Sequence, residues 1–234
     1  MESGRCLGLI GGLGVGATVH YYERLVKAHE ARGHRLDIVI AHAETSRVFE
    51  YVQAEDRTGL AAYLNGFIRR LEAAGAELAA IPAITPHYCM RELVAISPLT
   101  VLDIFDPLKQ ELAVRGIRRA AVFGTRFAIE SALFGRVRSV EIIHPRADEV
   151  DYIHSTYVQL AQQGTGSGEQ HKGLTDLALT LCKREGLDAV ILAGTDLALL
   201  FNETNTAFPN VDCAALHIRA IAHGLLAELP PGAR

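Results

Sequence analysis

The sequence has no closely spaced cysteine pair, no long apolar run and no excess of basic charge, and each absence removes a class of function. Its four cysteines, Cys6, Cys89, Cys182 and Cys213, never fall into a C-x-x-C spacing. Reduced thiols are expected, with neither a disulfide framework nor a structural metal site. No apolar stretch reaches the roughly 18 residues that a membrane-spanning helix needs. The opening MESGRCLGLIGG lacks the length and flanks of a signal peptide, so a soluble, cytoplasmic protein with no membrane partner is the expectation. Lys plus Arg number 23 against 27 Asp plus Glu, a formal net charge of −4. The basic residues are dispersed, which speaks against a nucleic-acid partner. There is no low-complexity tract, and 49% of the 234 residues are hydrophobic. That is enough to bury a core as one large domain or two small intertwined ones.

What is present is an alternation of short apolar runs with longer segments of helical period, the pattern of a mostly parallel sheet covered by helices. Strands are expected near 5–11, 36–42, 76–82, 99–103, 119–124, 139–143, 188–193 and 210–212. Helices are expected near 17–32, 54–74, 86–96, 106–116, 127–135, 147–163, 171–185, 196–203 and 214–228. GTGSG at 164–168 is the clearest flexible punctuation, and PPGAR at the end reads as a frayed tail. An internal symmetry adds to this. GAELAAIPA (75–83) lies over GLDAVILAG (186–194), matching Glu77 to Asp188 and Ala83 to Gly194, while LGLIGG (7–12) and AAVFGT (120–125) both run from a strand into small residues. Two similar α/β halves would pool the loops at the carboxyl ends of their strands in one cleft, where open sheets bind ligands.

Those strand exits carry the candidate site residues. In GLIGGLGVGAT (8–18), Gly12, Gly14 and Ala17 satisfy the relaxed dinucleotide spacing. The acid is misplaced, because Asp37 begins the next strand and the strand's end offers His42 and Glu44. A turn that needs small residues, or an anion site of backbone N–H groups, fits better than a nucleotide. In IPAITPH (81–87), Thr85 is placed to cap a turn that begins at Pro86, leaving His87 in the first turn and neutral. His87 either handles a proton or simply completes the turn with a hydrogen bond. In LAGTDLALLF (192–201), Thr195 can offer a hydroxyl to a carboxylate, and Asp196 is either a base or an ordinary first-turn residue. FGTRF (123–127) brings Thr125 and Arg126 to a third exit. NVDCAALH (210–217) brings Asp212 and Cys213 to a fourth, with His217 a turn later. Cys213 reads as a small buried hydrophobe.

Four of these stretches together resemble the aspartate/glutamate racemase superfamily: LGLIGGLGVGATVHYYERLV (7–26), AAIPAITPHY (79–88), FGTRFAIESALF (123–134) and DAVILAGTDLALL (188–200). The resemblance implies two pseudo-symmetric three-layer α/β/α lobes with mostly parallel sheets and an interlobe cleft. Residues 1–98 plus 208–234 would form one lobe and 99–207 the other, in a homodimer that needs no cofactor and no metal. Racemases of the superfamily carry a cysteine in each catalytic loop, one on each side of the substrate's α-carbon. The resemblance places Ala83 and Gly194 at those positions, Ile84 where an asparagine usually orients the carboxylate, and Asp196 where a glutamate or histidine follows. Neither alanine nor glycine carries a proton, so two-thiol racemisation is not expected.

The functional expectation is a cofactor-independent isomerase or lyase for a small carboxylic acid. His87, Asp196, Glu44 or His217 would transfer protons, and Gly12, Gly14, Thr85, Thr125 and Thr195 would bind the anion. The alternatives are a carboxylate-binding protein without turnover, an oligomeric structural role, or a residual racemase using Cys89 or Cys213 as a displaced thiol.

Overall fold

A computed structural model of the chain describes residues 4–226. Parallel strands buried on both faces read as near-continuous apolar runs, and all eight expected strands form. In the first sheet β1 (Leu7–Gly11) lies between β2 (Ile38–His42) and β3 (Leu78–Ala80), with β4 (Thr100–Leu102) beyond β3. In the second, β5 (Arg119–Phe123) lies between β6 (Glu141–Ile142) and β7 (Ala189–Leu192), with β8 (Asn210–Asp212) beyond β7. Every pairing is parallel, and the orders β2-β1-β3-β4 and β6-β5-β7-β8 are the same topology twice.

The internal repeat reaches individual side chains. The Cys6 N–H donates to Glu77 Oε1, and the Arg118 and Arg119 N–H groups donate to Asp188 Oδ2. In both lobes an acid just ahead of the third strand holds the entry of the first. Gly75 and Gly186, which precede these acids by two residues, both take the left-handed backbone, with φ of 95° and 63°.

Helices cover the sheets: α1 (Val15–Glu30), α2 (Thr45–Gln53), α3 (Arg57–Ala73), α4 (Met90–Ile96), α5 (Phe105–Val114), α6 (Arg126–Glu130), α7 (Ala147–Gln163), α8 (Gly168–Glu185) and α9 (Cys213–Leu226). The period of two along β1 splits its neighbours by face. Leu7 and Leu9 pack with Tyr21 and Leu25 of α1 and Ile218 and Ile221 of α9, while Ile10 packs with Leu60, Leu64 and Ile68 of α3. Gly8 lets α3 lie close, since a Cβ there would stand 2.9 Å from that of Leu71. GTGSG is less a flexible linker than two helix ends: Gly164 closes α7 in the left-handed conformation, and Ser167 caps α8 in a capping box with Gln170.

The helix expected near 196–203 is only a 3-10 turn, Thr195–Leu199, and two further expectations change. Sheet membership places strand 100–102 in the first lobe and 210–212 in the second, the reverse of breaks at 98/99 and 207/208. Each sheet takes its fourth strand before the chain crosses over. The closing helix α9 then returns to the first sheet, burying Ile218, Ile221 and Leu225 there while Cys213 and Leu216 pack on the second lobe's core. The other change is α2, which was not expected. Its Thr, Val, Phe and Tyr residues are poor helix formers, and the helix is held by Val48 and Val52 buried one turn apart. Residues 227–234, including PPGAR and the end of the expected last helix, lie outside the described residues. Among those described, no helix is long and apolar enough to cross a membrane.

Candidate active site

The loops leaving β1, β3, β5 and β7 meet across the two lobes and enclose a cavity of ≈ 320 Å³. Its first-lobe wall comprises Gly12–Val15, Ala83–Pro86 and the α2 side chains Thr45, Val48 and Phe49; its second-lobe wall includes Thr125, Tyr157, Gly194 and Asp196.

The glycine loop after β1 is held by its own neighbours. The Gly12 N–H donates to Thr18 Oγ1 (3.1 Å), that hydroxyl donates to the Gly14 carbonyl (2.8 Å), and Thr45 Oγ1 donates to the Gly12 carbonyl (2.9 Å). Glycine is needed at both positions. Gly12 and Gly14 have φ of 87° and 133°, and a Cβ at Gly14 would stand 2.6 Å from Asp196 Oδ2. The start of α1 faces a carboxylate belonging to the protein itself, for the Ala17 N–H donates to Asp196 Oδ1 at 2.9 Å. The anion that a helix N-terminus favours is supplied here from the other lobe.

Asp196 is 0% exposed. Its second oxygen accepts a 2.9 Å hydrogen bond from the Tyr157 hydroxyl. Burial raises the Asp196 carboxyl above its ordinary value despite the stabilising N–H and O–H donors. Burial, and then the neighbouring Asp196 charge, push the Tyr157 phenol well above its ordinary value, so it keeps its proton. The Tyr157 ring stands where a side chain at position 194 would go. A Cβ built on Gly194 would overlap ring atom Cε2 and lie 2.6 Å from Cδ2.

The three threonines differ. Thr195 Oγ1 donates to the Pro82 carbonyl at 3.0 Å, tying the β7 exit to the β3 exit, so its hydrogen is spent between the lobes. Thr125 caps α6 by accepting from the Ala128 N–H at 3.1 Å, which leaves its own O–H free to donate into the cavity. Thr85 lines the cavity but does not cap its turn as expected. The 3-10 turn Thr85–Cys89 begins from Ile84, already in the right-handed helical region, with no side-chain cap.

The other expected proton carriers lie off the cavity lining. His87 is buried behind the loop that carries Ala83. The Ala83 carbonyl can only accept, so Nδ1 bears the hydrogen of that 2.8 Å bond; the Ile104 N–H can only donate, so Nε2 accepts it at 3.3 Å. Burial lowers its basicity, partly offset by Asp103, and the ring is neutral. His217 is placed likewise, with Nε2–H donating to the Leu102 carbonyl (3.0 Å) and Nδ1 accepting from the Tyr21 hydroxyl (3.1 Å). Burial, and then His87, push it down to about 3. Both histidines sit one turn beyond a strand exit but are rotated into the packing behind it. Glu44 is exposed at the start of α2, its carboxylate unused as a cap, and it is the next residue, Thr45, that reaches the lining. Cys89 and Cys213 are buried away from the lining, with burial raising the Cys89 thiol to about 12 and that of Cys213 well above its ordinary value. Arg126 is paired outside with Asp151 and Glu130.

Ala83, Gly194, Gly12, Gly14, Thr85, Thr125, Thr195 and Asp196 were expected in one cleft, and the fold brings them together. All but Thr195 line the cavity, and Thr195 lies directly behind it. Among the described residues no Lys, Arg or His lines it, and Asp196 and Tyr157 are its acidic and phenolic groups. No cluster of three or more His, Cys, Asp or Glu is arranged to hold a metal ion among the described residues.

The match to known families fits this two-lobed cleft. The Asp/Glu/Hydantoin racemase family model matches residues 10–221. The chain belongs to this family. Solved structures similar to this family member include a candidate Asp/Glu racemase of Yersinia pestis, 23% identical with a TM-score of 0.81 over 95% of this chain and 100% of that one. An aspartate racemase homologue of Pyrococcus horikoshii is 21% identical, with a TM-score of 0.78 over 97% and 100%. The aspartate racemase of Picrophilus torridus is 22% identical, with a TM-score of 0.74 over 97% and 96%. At these identities the likeness is one of fold.

Tyr157 was not among the expected site residues. It lies mid-helix in α7, one turn from Ile153 and in the same buried stripe as Val150 and Leu160, where its spacing is that of a core residue. The α2 wall was missed with its helix.

Proposed function

We propose that the protein is a cofactor-independent isomerase or lyase that moves a proton at the α-carbon of a small monocarboxylic acid bearing an apolar substituent. The observation that carries the proposal is the cavity's composition. The free Thr125 O–H and the Thr85 hydroxyl share one cavity with a buried Asp196–Tyr157 pair, in a lining otherwise dominated by Leu13, Val48, Phe49, Ile84, Val158 and small residues. A second carboxylate would have to be buried beside Asp196 with no cation to meet it, at a cost of several kcal/mol or more. Aspartate and glutamate are therefore poor substrates in this reading.

Ala83 and Gly194 are taken as the positions of the superfamily's two cysteines, and the proton chemistry then falls to the oxygen acids of the second lobe. Hydroxyl donors at the carboxylate stabilise the charge that develops when the α-proton leaves.

The test has two arms. Calorimetry should show apolar monocarboxylates such as mandelate and phenylglycine binding more tightly than their amides and than aspartate or glutamate. Proton NMR in deuterated water should show α-deuteration of such an acid that Asp196→Asn lowers by about 100-fold or more. Binding without any exchange would favour the reading of a carboxylate-binding protein. Equal binding of acid and amide would remove the anion site itself.

A further inference from the structure

Alanine at 83 and glycine at 194 would be expected to leave open volume beside them, yet beside Gly194 the space is filled. The Tyr157 ring occupies it, and its hydroxyl stands 2.9 Å from Asp196 Oδ2. Two features make this more than core packing. The ring lines the cavity, and its hydroxyl is bound to the carboxylate that the other lobe fixes through the Ala17 N–H. Proton donor, proton acceptor and anchor thus form one chain running from the cavity wall to the start of α1.

We propose that Tyr157 is a further catalytic residue, exchanging a proton with the substrate's α-carbon on the wall where Gly194 offers none and relaying it to and from Asp196. This rests on the proposed function and deepens it. In the forward step the Cα–H bond breaks and its electron pair stays on the substrate as an enolate. The proton forms a new O–H bond at Tyr157 as the phenol's original proton passes to Asp196 Oδ2. In the return step the Asp196 O–H bond breaks, Tyr157 recovers a proton from it, and Tyr157 gives its own to carbon, which restores the arrangement seen. While the enolate is held, the Tyr157 O–H, which carries the substrate's proton at the cavity wall, can exchange with solvent, so the product gains deuterium in deuterated water. No further reactant is needed. Gly194 is the condition for this relay, since any larger residue would displace the ring.

The experiment follows α-deuteration of the separate enantiomers of mandelate and phenylglycine by proton NMR, with affinity for the same probes measured by calorimetry. Tyr157→Phe keeps the ring and removes only the hydroxyl. The expected result is exchange slowed by about 100-fold or more with affinity changed by less than about threefold, a split between turnover and binding that a merely structural role would not produce. Wild-type exchange matched by Tyr157→Phe overturns this inference and leaves the proposed function standing. Absence of exchange by the wild-type protein overturns both. A thermal-melting arm tests the steric half apart from activity: Gly194→Cys should lower the unfolding midpoint, and Y157A/G194C should recover part of the loss. A Gly194→Cys protein as stable as wild type would show that the ring does not hold that space.

Discussion

Lowering the pH from about 7.5 to about 5 should destabilise the fold through His217, and the size of the effect follows from its surroundings. The imidazole is 0% exposed. Both nitrogens are committed, Nε2–H to the Leu102 carbonyl and Nδ1 to the Tyr21 hydroxyl. Facing it are neutral His87 at a ring-centroid distance of 6.2 Å and, more weakly felt, the Asp103 carboxylate. Its basicity falls from an ordinary 6.5 to about 3 on folding. The unfolded chain therefore binds the proton first, and stability is fully present above pH ~6.5 and declines as the pH falls toward the folded value. At pH ~5 the loss is about 1.5 pH units times 1.36 kcal/mol, or roughly 2 kcal/mol. For a chain of this size that corresponds to a midpoint lowered by roughly 4–8 °C. Urea unfolding of the wild type and His217→Gln at both pH values isolates the term. His20, His87 and His154, which burial also holds below their ordinary value, titrate in both proteins and cancel in the difference, as do the raised carboxyls of Asp196 and Asp212. His217→Gln should start less stable at neutral pH and lose about 2 kcal/mol less on acidification. An identical loss in both proteins would refute a neutral, committed His217.

Three further outcomes follow. Thr195→Val strands the Pro82 carbonyl between the lobes and should cost about 1–3 kcal/mol in urea unfolding, with weakened probe binding as a consequence of loosened loops. Thr125→Val should lower stability by about 1 kcal/mol through its lost cap on α6 and, unlike a cap swap to Ser, should also weaken mandelate binding in calorimetry. Cys89 and Cys213 should resist a thiol reagent in the native protein and react only on unfolding, and Cys89→Ala and Cys213→Ala should leave α-deuteration within about twofold of wild type.

The strands were legible because parallel strands buried on both faces cannot hide their apolar runs, and the repeat was legible because Glu77 and Asp188 do the same work in each half. Strand exits also place the cavity loops, since any residue just past the carboxyl end of a parallel strand must lie on one side of the sheet. Rotation beyond the exit is another matter. His87 and His217 each follow an exit by a single turn, and only the packing of Phe105, Tyr21 and the β4 end decides that both rings face inward. Tyr157 could not be distinguished from Ile153 or Leu160 by spacing, because the feature that singles it out, the empty place at Gly194, lies 37 residues further along the chain. α2 was hidden by side chains that favour strands.

The most direct measurement is a crystal structure of the protein with mandelate bound. The account predicts the ligand in the cavity between the β3 and β7 exits, its carboxylate on the Thr85 and Thr125 hydroxyls, its ring against Val48 and Phe49, and its α-carbon within about 3.5 Å of the Tyr157 oxygen. A ligand seated with its α-carbon against His87 or Cys89, or bound outside the cavity altogether, would contradict it.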